Sequence, residues 1–167
     1  MTINIQRYIG KTPEELNNRL IQLAWNIDSI KFLLTHHLLK DKVNINTTNE
    51  LGQTPLMLAC RYNKMEVVKY LLESDDLEEK ANVNKYDNKG KNALVYACQE
   101  NFFHMAKYLI IEHDIEISPF VRSWLDGENE SNIHYREVLN VINKMDLMKT
   151  LDNNLYKNKE MNKIIKI

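Results

Sequence analysis

The sequence predicts an all-α protein, a solenoid of stacked helix–turn–helix units, and three observations predict it. The stretch Gly52 to Leu72 returns 38 residues later as Gly90 to Ile110 without a gap, pairing Leu56 with Leu94, Ala59 with Ala97, Cys60 with Cys98 and Asn63 with Asn101. A fixed internal period of this size marks a stacked repeat array. Each copy also ends in an apolar stripe at helical spacing, which in the first copy is Met65, Val68, Leu71 and Leu72. Turn residues bracket the helices: Gly52 can take φ > 0 before the first, and Asn63 tolerates the left-handed conformation that ends it.

The elements of one copy follow in order. Thr54 supplies a hydroxyl to cap the first helix, and Pro55 suits the first helical position, where its missing N–H is not needed. Ala59 and Cys60 are small, so a neighbouring helix can approach closely. The segment Thr54-Pro55-Leu56-Met57-Leu58-Ala59 resembles the T-P-L-H-x-A signature of the ankyrin repeat. Gly52 fits that family's turn, and Glu66-Val67-Val68-Lys69-Tyr70-Leu71-Leu72 looks like its outer helix. Met57 stands where the family has His, and Asn92-Ala93 replaces Thr-Pro in the next copy. The period of 38 exceeds the usual ~33, so each unit carries an insertion. The resemblance is clear over about 43–118 and weaker over 14–42 and 133–152. It implies an ankyrin-repeat solenoid.

Taken along the chain, the resemblance places an ankyrin-repeat domain at 1–152, with units at about 14–46, 47–84 and 85–118, a capping unit at 133–152, and a C-terminal tail at 153–167. Tyr8, Ile9 and Leu16 are placed to cover the open edge of the first unit. Gly10-Lys11-Thr12-Pro13 faintly echoes Gly52-Gln53-Thr54-Pro55 at a different offset. The first unit is degenerate: Lys31-Phe32-Leu33-Leu34 matches Lys69-Tyr70-Leu71-Leu72, but Ile21 and Gln22 replace Ala59 and Cys60. A terminal unit is free to do this because one face has no neighbour. The inserted segments correspond as well, with Leu39, Asn44, Ile45 and Asn46 matching Leu77, Asn82, Val83 and Asn84. The insertion therefore lengthens the outer helix or its exit loop. In the second unit it holds Glu73, Asp75, Asp76, Glu78 and Glu79, which read either as a solvated acidic knob or as a docking patch for a basic partner.

The third unit closes at Leu109 to Ile117 without the insertion, and the period then breaks. Phe120, Val121, Trp124 and Leu125 are too apolar for an idle linker and are expected to fold back on the stack. In the capping unit, Asn143-Lys144-Met145 aligns with Asn63-Lys64-Met65, which predicts a helix at Tyr135 to Ile142, a turn, and a second helix. Val138, Leu139, Ile142, Met145 and Met148 are expected inward, and Arg136, Glu137, Lys144 and Lys149 outward. The tail, with Leu155, Met161, Ile164, Ile165 and Ile167, reads as a frayed terminus or as a short amphipathic helix.

The 167 residues make about one domain, and a net charge of −1 gives no long-range field for nucleic acid or anionic membrane. No run of ~18 apolar residues predicts a membrane span. The first residues lack the apolar core of a signal peptide, so an intracellular location is expected, cytoplasmic or nuclear, and that of a host cell if the source is a virus or bacterium. Cys60 and Cys98, at equivalent positions of neighbouring units, lie too far apart for a disulfide and read as small buried thiols. No metal ligand set is spaced around them. His36 and His37 are adjacent on a predicted helix end and would point apart, and His104 is expected exposed. No catalytic or phosphate-binding motif is present, so neither an enzyme nor a cofactor is expected.

Two functional classes remain. One is a non-catalytic module, monomeric when free, that binds a protein partner through the concave face. The other is a structural subunit built permanently into a larger assembly. Packing commits Leu56, Leu58 and Ala59, leaving the turns and the last exposed turn of each inner helix. The resemblance implies that these positions carry specificity. They are Thr48, Glu50, Leu51, Gln53, Arg61 and Tyr62 in the second unit, and Tyr86, Asn88, Lys89, Lys91, Gln99 and Glu100 in the third.

Overall fold

A computed structural model describes residues 3–128 and 133–164. Among them are eight α-helices and no strand: α1 (Pro13–Gln22), α2 (Ile27–Thr35), α3 (Pro55–Arg61), α4 (Met65–Glu73), α5 (Ala93–Gln99), α6 (Phe103–His113), α7 (Pro119–Glu128) and α8 (Ile133–Ile164). They pair into antiparallel units that stack side by side. The inner helices α1, α3 and α5 pack in series, the outer helix α2 lies on α4, and α8 covers α6.

The repeat works as its residues dictate. The Thr54 side chain accepts from Met57 N and Pro55 occupies the first turn of α3, while Asn92 caps α5 by accepting from Val95 N at 3.2 Å. Asn63 and Asn101 take φ of 55° and 62°, so the chain can reverse into the outer helix. The reversal is locked by Lys64 N donating to Ala59 O at 2.9 Å and Phe102 N to Ala97 O at 2.8 Å. Ala59, Cys60, Ala97 and Cys98 are fully buried at the inner-helix contacts, where only small residues allow the close approach. Both cysteines are free, and burial holds both thiols well above their ordinary range.

Two ladders tie unit to unit. On the outer helices the Lys31 ammonium lies 5.2 Å from the Tyr70 ring centroid and Lys69 lies 5.6 Å from that of Tyr108. At the next step Lys107 pairs instead with Glu137 of α8 at 2.8 Å. The second ladder runs through the loops that leave the outer helices. Asn46 Oδ1 accepts from Asn82 N and Asn84 Oδ1 from Glu116 N, at 2.8 and 2.7 Å, and within the first unit Asn17 of α1 accepts from Asn44 N at 2.7 Å. These asparagines satisfy loop N–H groups that would otherwise compete for water at the edge of the core. The insertion thus lengthens the exit loop and not the helix, since α4 ends at Glu73.

The N-terminal echo is structural: Gly10 has φ of 81°, Thr12 and Glu15 form a reciprocal capping box, and Pro13 opens α1. Tyr8 and Leu16 are buried over the first unit, whereas Ile9 is half exposed.

The cap differs from expectation. α8 is one continuous helix, so the turn expected at Asn143 is absent and the expected tail is helical as far as Ile164. The side chain of Asn143, which would have to release a left-handed turn, accepts instead from Arg122 Nη1 of α7 at 2.9 Å, and Arg122 also pairs with Asp146. The partner of α8 is therefore α7. Ser118-Pro119 starts α7 as Thr54-Pro55 starts α3, with Ser118 Oγ accepting from Val121 N. Val121 and Leu125 are buried and Trp124 packs on the core, while Phe120 is half exposed against Gly90. Val138, Leu139 and Ile142 face inward and Met145 partly so. Met148, expected inward, is 52% exposed, although the next residue, Lys149, still pairs with Asp114 at the end of α6. Arg136, Glu137, Lys144 and Lys149 point outward. Residues 129–132 of the expected linker, and the side chains of Met161, Ile164, Ile165 and Ile167, lie outside the described residues.

Candidate functional site

The fingers before α3 and α5 are built alike. Asn49 Oδ1 accepts from Leu51 N and Gln53 N at 3.0 and 2.9 Å, and Asp87 Oδ1 accepts from Lys89 N and Lys91 N, both at 2.8 Å. A short polar side chain thus folds each finger over its own backbone. Gly52 N and Gly90 N close the turns onto Asn49 O and Asp87 O. The fingers then dock: Asn88 N donates to Leu51 O at 3.0 Å and Asn88 Nδ2 to Glu50 O at 2.9 Å. A Cβ at position 52 would sit 2.5 Å from Asn88 Oδ1 and 2.8 Å from Asn88 N, so glycine is required there for the approach as well as for its φ.

Below the fingers a buried polar chain crosses from one unit to the next. Asn49 Nδ2 donates to Gln53 Oε1 at 2.9 Å, Gln53 Nε2 to the Tyr96 hydroxyl at 2.6 Å, and that hydroxyl to Asp87 Oδ2 at 2.7 Å. Burial, and then the Asp87 carboxylate, raise the Tyr96 phenol above its ordinary range, against the opposing pull of Gln53. The hydroxyl is therefore held as a donor, and it makes a poor proton source or nucleophile.

This chain forms the base of a depression of about 240 Å³. Leu51, Gln53 and Arg61 enter it from the second unit, and Asn88, Lys89, Lys91, Gln99 and Glu100 from the third. Arg61 Nε lies 3.4 Å from Glu100 Oε1 across the junction, both side chains partly exposed. Gln53 is only 5% exposed and is committed to Tyr96, so it shapes the site from beneath. Thr48, Glu50, Tyr62 and Tyr86 do not line the depression. Thr48 and Glu50 stand exposed on the finger, and Tyr62 is half exposed at the end of α3. Tyr86 turns inward to pack on the core, and its hydroxyl is buried without a hydrogen bond.

The residues missed by sequence reasoning are Asp87 and Tyr96. Both are departures from the internal period, standing opposite Asn49 and Leu58, and that mismatch was the available signal.

Among the described residues no three His, Cys, Asp or Glu side chains converge to hold a metal ion. His36 and His37 lie beyond the end of α2, where their rings stack at 4.6 Å instead of pointing apart as they would on a helix. His104 is exposed. Among the described residues no helix is long and apolar enough to cross a membrane.

The family model for ankyrin repeats, in three copies, matches residues 20–120. The chain belongs to the ankyrin-repeat family, whose repeats form a non-enzymatic interaction fold that binds proteins. Comparison with curated proteins gives no match. Among solved structures, the chain is similar to one described as the Bd0816 predatory endopeptidase from Bdellovibrio bacteriovorus in complex with immunity protein Bd3460. The identity is 29% over 60% of this chain and 46% of that chain, with a TM-score of 0.45. The chain thus spans less than half the length of that relative.

Proposed function

We propose that this ankyrin-repeat chain is a non-catalytic binding module that recognises one protein partner through the finger face at the junction of its second and third units. The observation that carries this reading is the convergence of exposed Leu51, Arg61, Asn88, Lys89, Gln99 and Glu100, with half-buried Lys91, on one depression over a hydrogen-bonded polar base. Preorganised polar side chains around an accessible recess reduce the ordering cost of association. Arg61, Lys89 and Lys91 give the rim its adaptable donors, and Leu51, 55% exposed, gives it an apolar contact. Thr48, Glu50 and Tyr62 extend the surface outward. Tyr86 supports it from within.

The test is capture of a partner from lysate by the intact chain, its identification by mass spectrometry, and its titration against Arg61→Ala/Lys89→Ala/Lys91→Ala. These side chains are solvated, so the variant is expected to keep the melting temperature and to weaken binding about a hundredfold. Unchanged affinity in that variant would sink the reading.

A second reading, a subunit built permanently into an assembly, is favoured by one observation. Leu147, Met148, Leu151 and Leu155 form an exposed apolar stripe on α8. Size-exclusion chromatography separates the two readings. A monomer is expected for the binding module, and concentration-dependent association through α8 for the subunit.

A further inference from the structure

The insertions that lengthen the first two units create a second recess, remote from the fingers. The exit loops 36–46 and 74–84 stack on each other. Leu39 and Leu77 are buried and anchor them, Lys40 pairs with Glu78 on one side, and Asn46 Nδ2 donates to Glu79 Oε1 at 3.0 Å on the other. Between these ties lies a groove of about 430 Å³ that shares no lining residue with the finger depression. Its floor is aliphatic, from Leu34, Val43 and Leu77. Its rim carries Asp41, Asp76 and Glu79. Lys40, the lysine of the lining, is committed to Glu78, and neither Asp41 nor Asp76 enters an ion pair among the described residues.

Acids alone would make a solvated knob. Here they surround an open aliphatic floor, and one kind of side chain satisfies both features. The methylene stem of a lysine or arginine lies on apolar surface while its cationic head stays near solvent and carboxylates. We propose that the groove between the two exit loops is a docking site for an extended protein segment bearing lysine or arginine. The cation enters between Asp41 and Asp76, and the stem rests on Leu34, Val43 and Leu77. Steering by the unpaired rim carboxylates makes association fall with rising salt. An aspartate or glutamate segment is repelled. This inference does not depend on the finger face: the two surfaces can engage separate parts of one partner or different partners.

The test uses the full chain and a short fluorescein-labelled peptide with lysine at alternate positions, followed by anisotropy. Saturable binding is expected, weakened about tenfold or more by Asp41→Asn/Asp76→Asn/Glu79→Gln with the melting temperature unchanged. The glutamine at 79 can still accept from Asn46. Norleucine in place of lysine keeps the stem and removes the charge, and it is expected to lose binding by a similar factor. Arg61→Ala/Lys89→Ala/Lys91→Ala is expected to bind the lysine peptide as the wild type does, which separates this site from the fingers. Equal binding of the lysine peptide to the neutralised variant, equal binding of the norleucine peptide, or no saturable binding at low salt would each overturn the proposal.

Discussion

The second and third units share a backbone and differ in what they do with it. In both, an Asx side chain folds the finger through the same two N–H bonds. In the second unit that residue is Asn49, and the residue facing the junction from the inner helix is Leu58, 7% exposed and packed with Ile21 and Ala24. In the third unit the same two positions hold Asp87 and Tyr96, which bond to each other and, through Gln53, to the unit before. One paired change converts a dry junction into a polar base with an open recess above it. In a repeat array, the backbone is written by what recurs and the binding surface by what fails to recur.

The comparison can be broken most severely where the units are alike. Ala59→Arg and Ala97→Arg each place a charged side chain between fully buried helices, and each is expected to cost about 4 kcal/mol or more, read as loss of cooperative unfolding in urea. Retention of the wild-type midpoint in either would contradict the packing.

A smaller effect separates equivalent glycines. Gly90→Ala meets only Phe120 ring atoms at 3.4 Å or beyond, so its cost is the left-handed φ, about 1 kcal/mol. Gly52→Ala meets Asn88 backbone as well and is expected to cost about 3 kcal/mol. Equal melting temperatures for the two would show that the fingers do not dock as described.

The paired change itself is probed by Tyr96→Phe, which leaves the Gln53 amide and one Asp87 oxygen buried without their partner. About 1–3 kcal/mol is expected, against less than about 1.5 kcal/mol for Leu58→Met at the equivalent position.

The mildest test is alkaline pH. The Cys98 thiol is pushed up to about 12 by burial and the Cys60 thiol is raised still further, while an unfolded thiol ionises near 9. Below pH 9 both states hold the proton and the contribution is complete. Above it the unfolded state loses protons that the folded state keeps, so stability falls with rising pH. At pH 10 the loss is about 1.4 kcal/mol per thiol, and Cys60→Ala/Cys98→Ala is expected to flatten the slope. A slope unchanged in the double variant would exclude the thiols as its source.

The helices from α3 to α6 were legible because one set of residues, repeated, fixed caps, turns and small contacts together. The cap was not. Asn143-Lys144-Met145 repeats the letters of a turn, but the turn is made by the residues that close it and by a partner helix waiting beyond. Arg122, distant in sequence, holds Asn143 and Asp146 on a straight helix instead. Ser118-Pro119, the true start of the last pair, comes too soon after Asn92-Ala93 to be found by counting 38. At the finger face the exposed rim was legible from position alone. The base was not, because Gln53, Asp87 and Tyr96 matter through contacts between units that no single unit displays. Tyr86 was misplaced for a related reason: an aromatic near a turn reads as a contact residue until the core beside it is seen to have room.

The asparagine ladder bears on how such a chain can change over generations. The exit loop of the second unit carries both halves of a connector, the Asn84 side-chain oxygen for the loop that follows and the Asn82 N–H for the one before. A unit copied whole would bring a plug and a socket with it and would join at either end. The exit of the third unit is much shorter, yet its Glu116 N still receives Asn84, so the joint does not depend on the length of the loop that leads to it. The joint therefore sits at the far end of the exit loop, and the stretch before it is free to grow or shrink without undoing the stack.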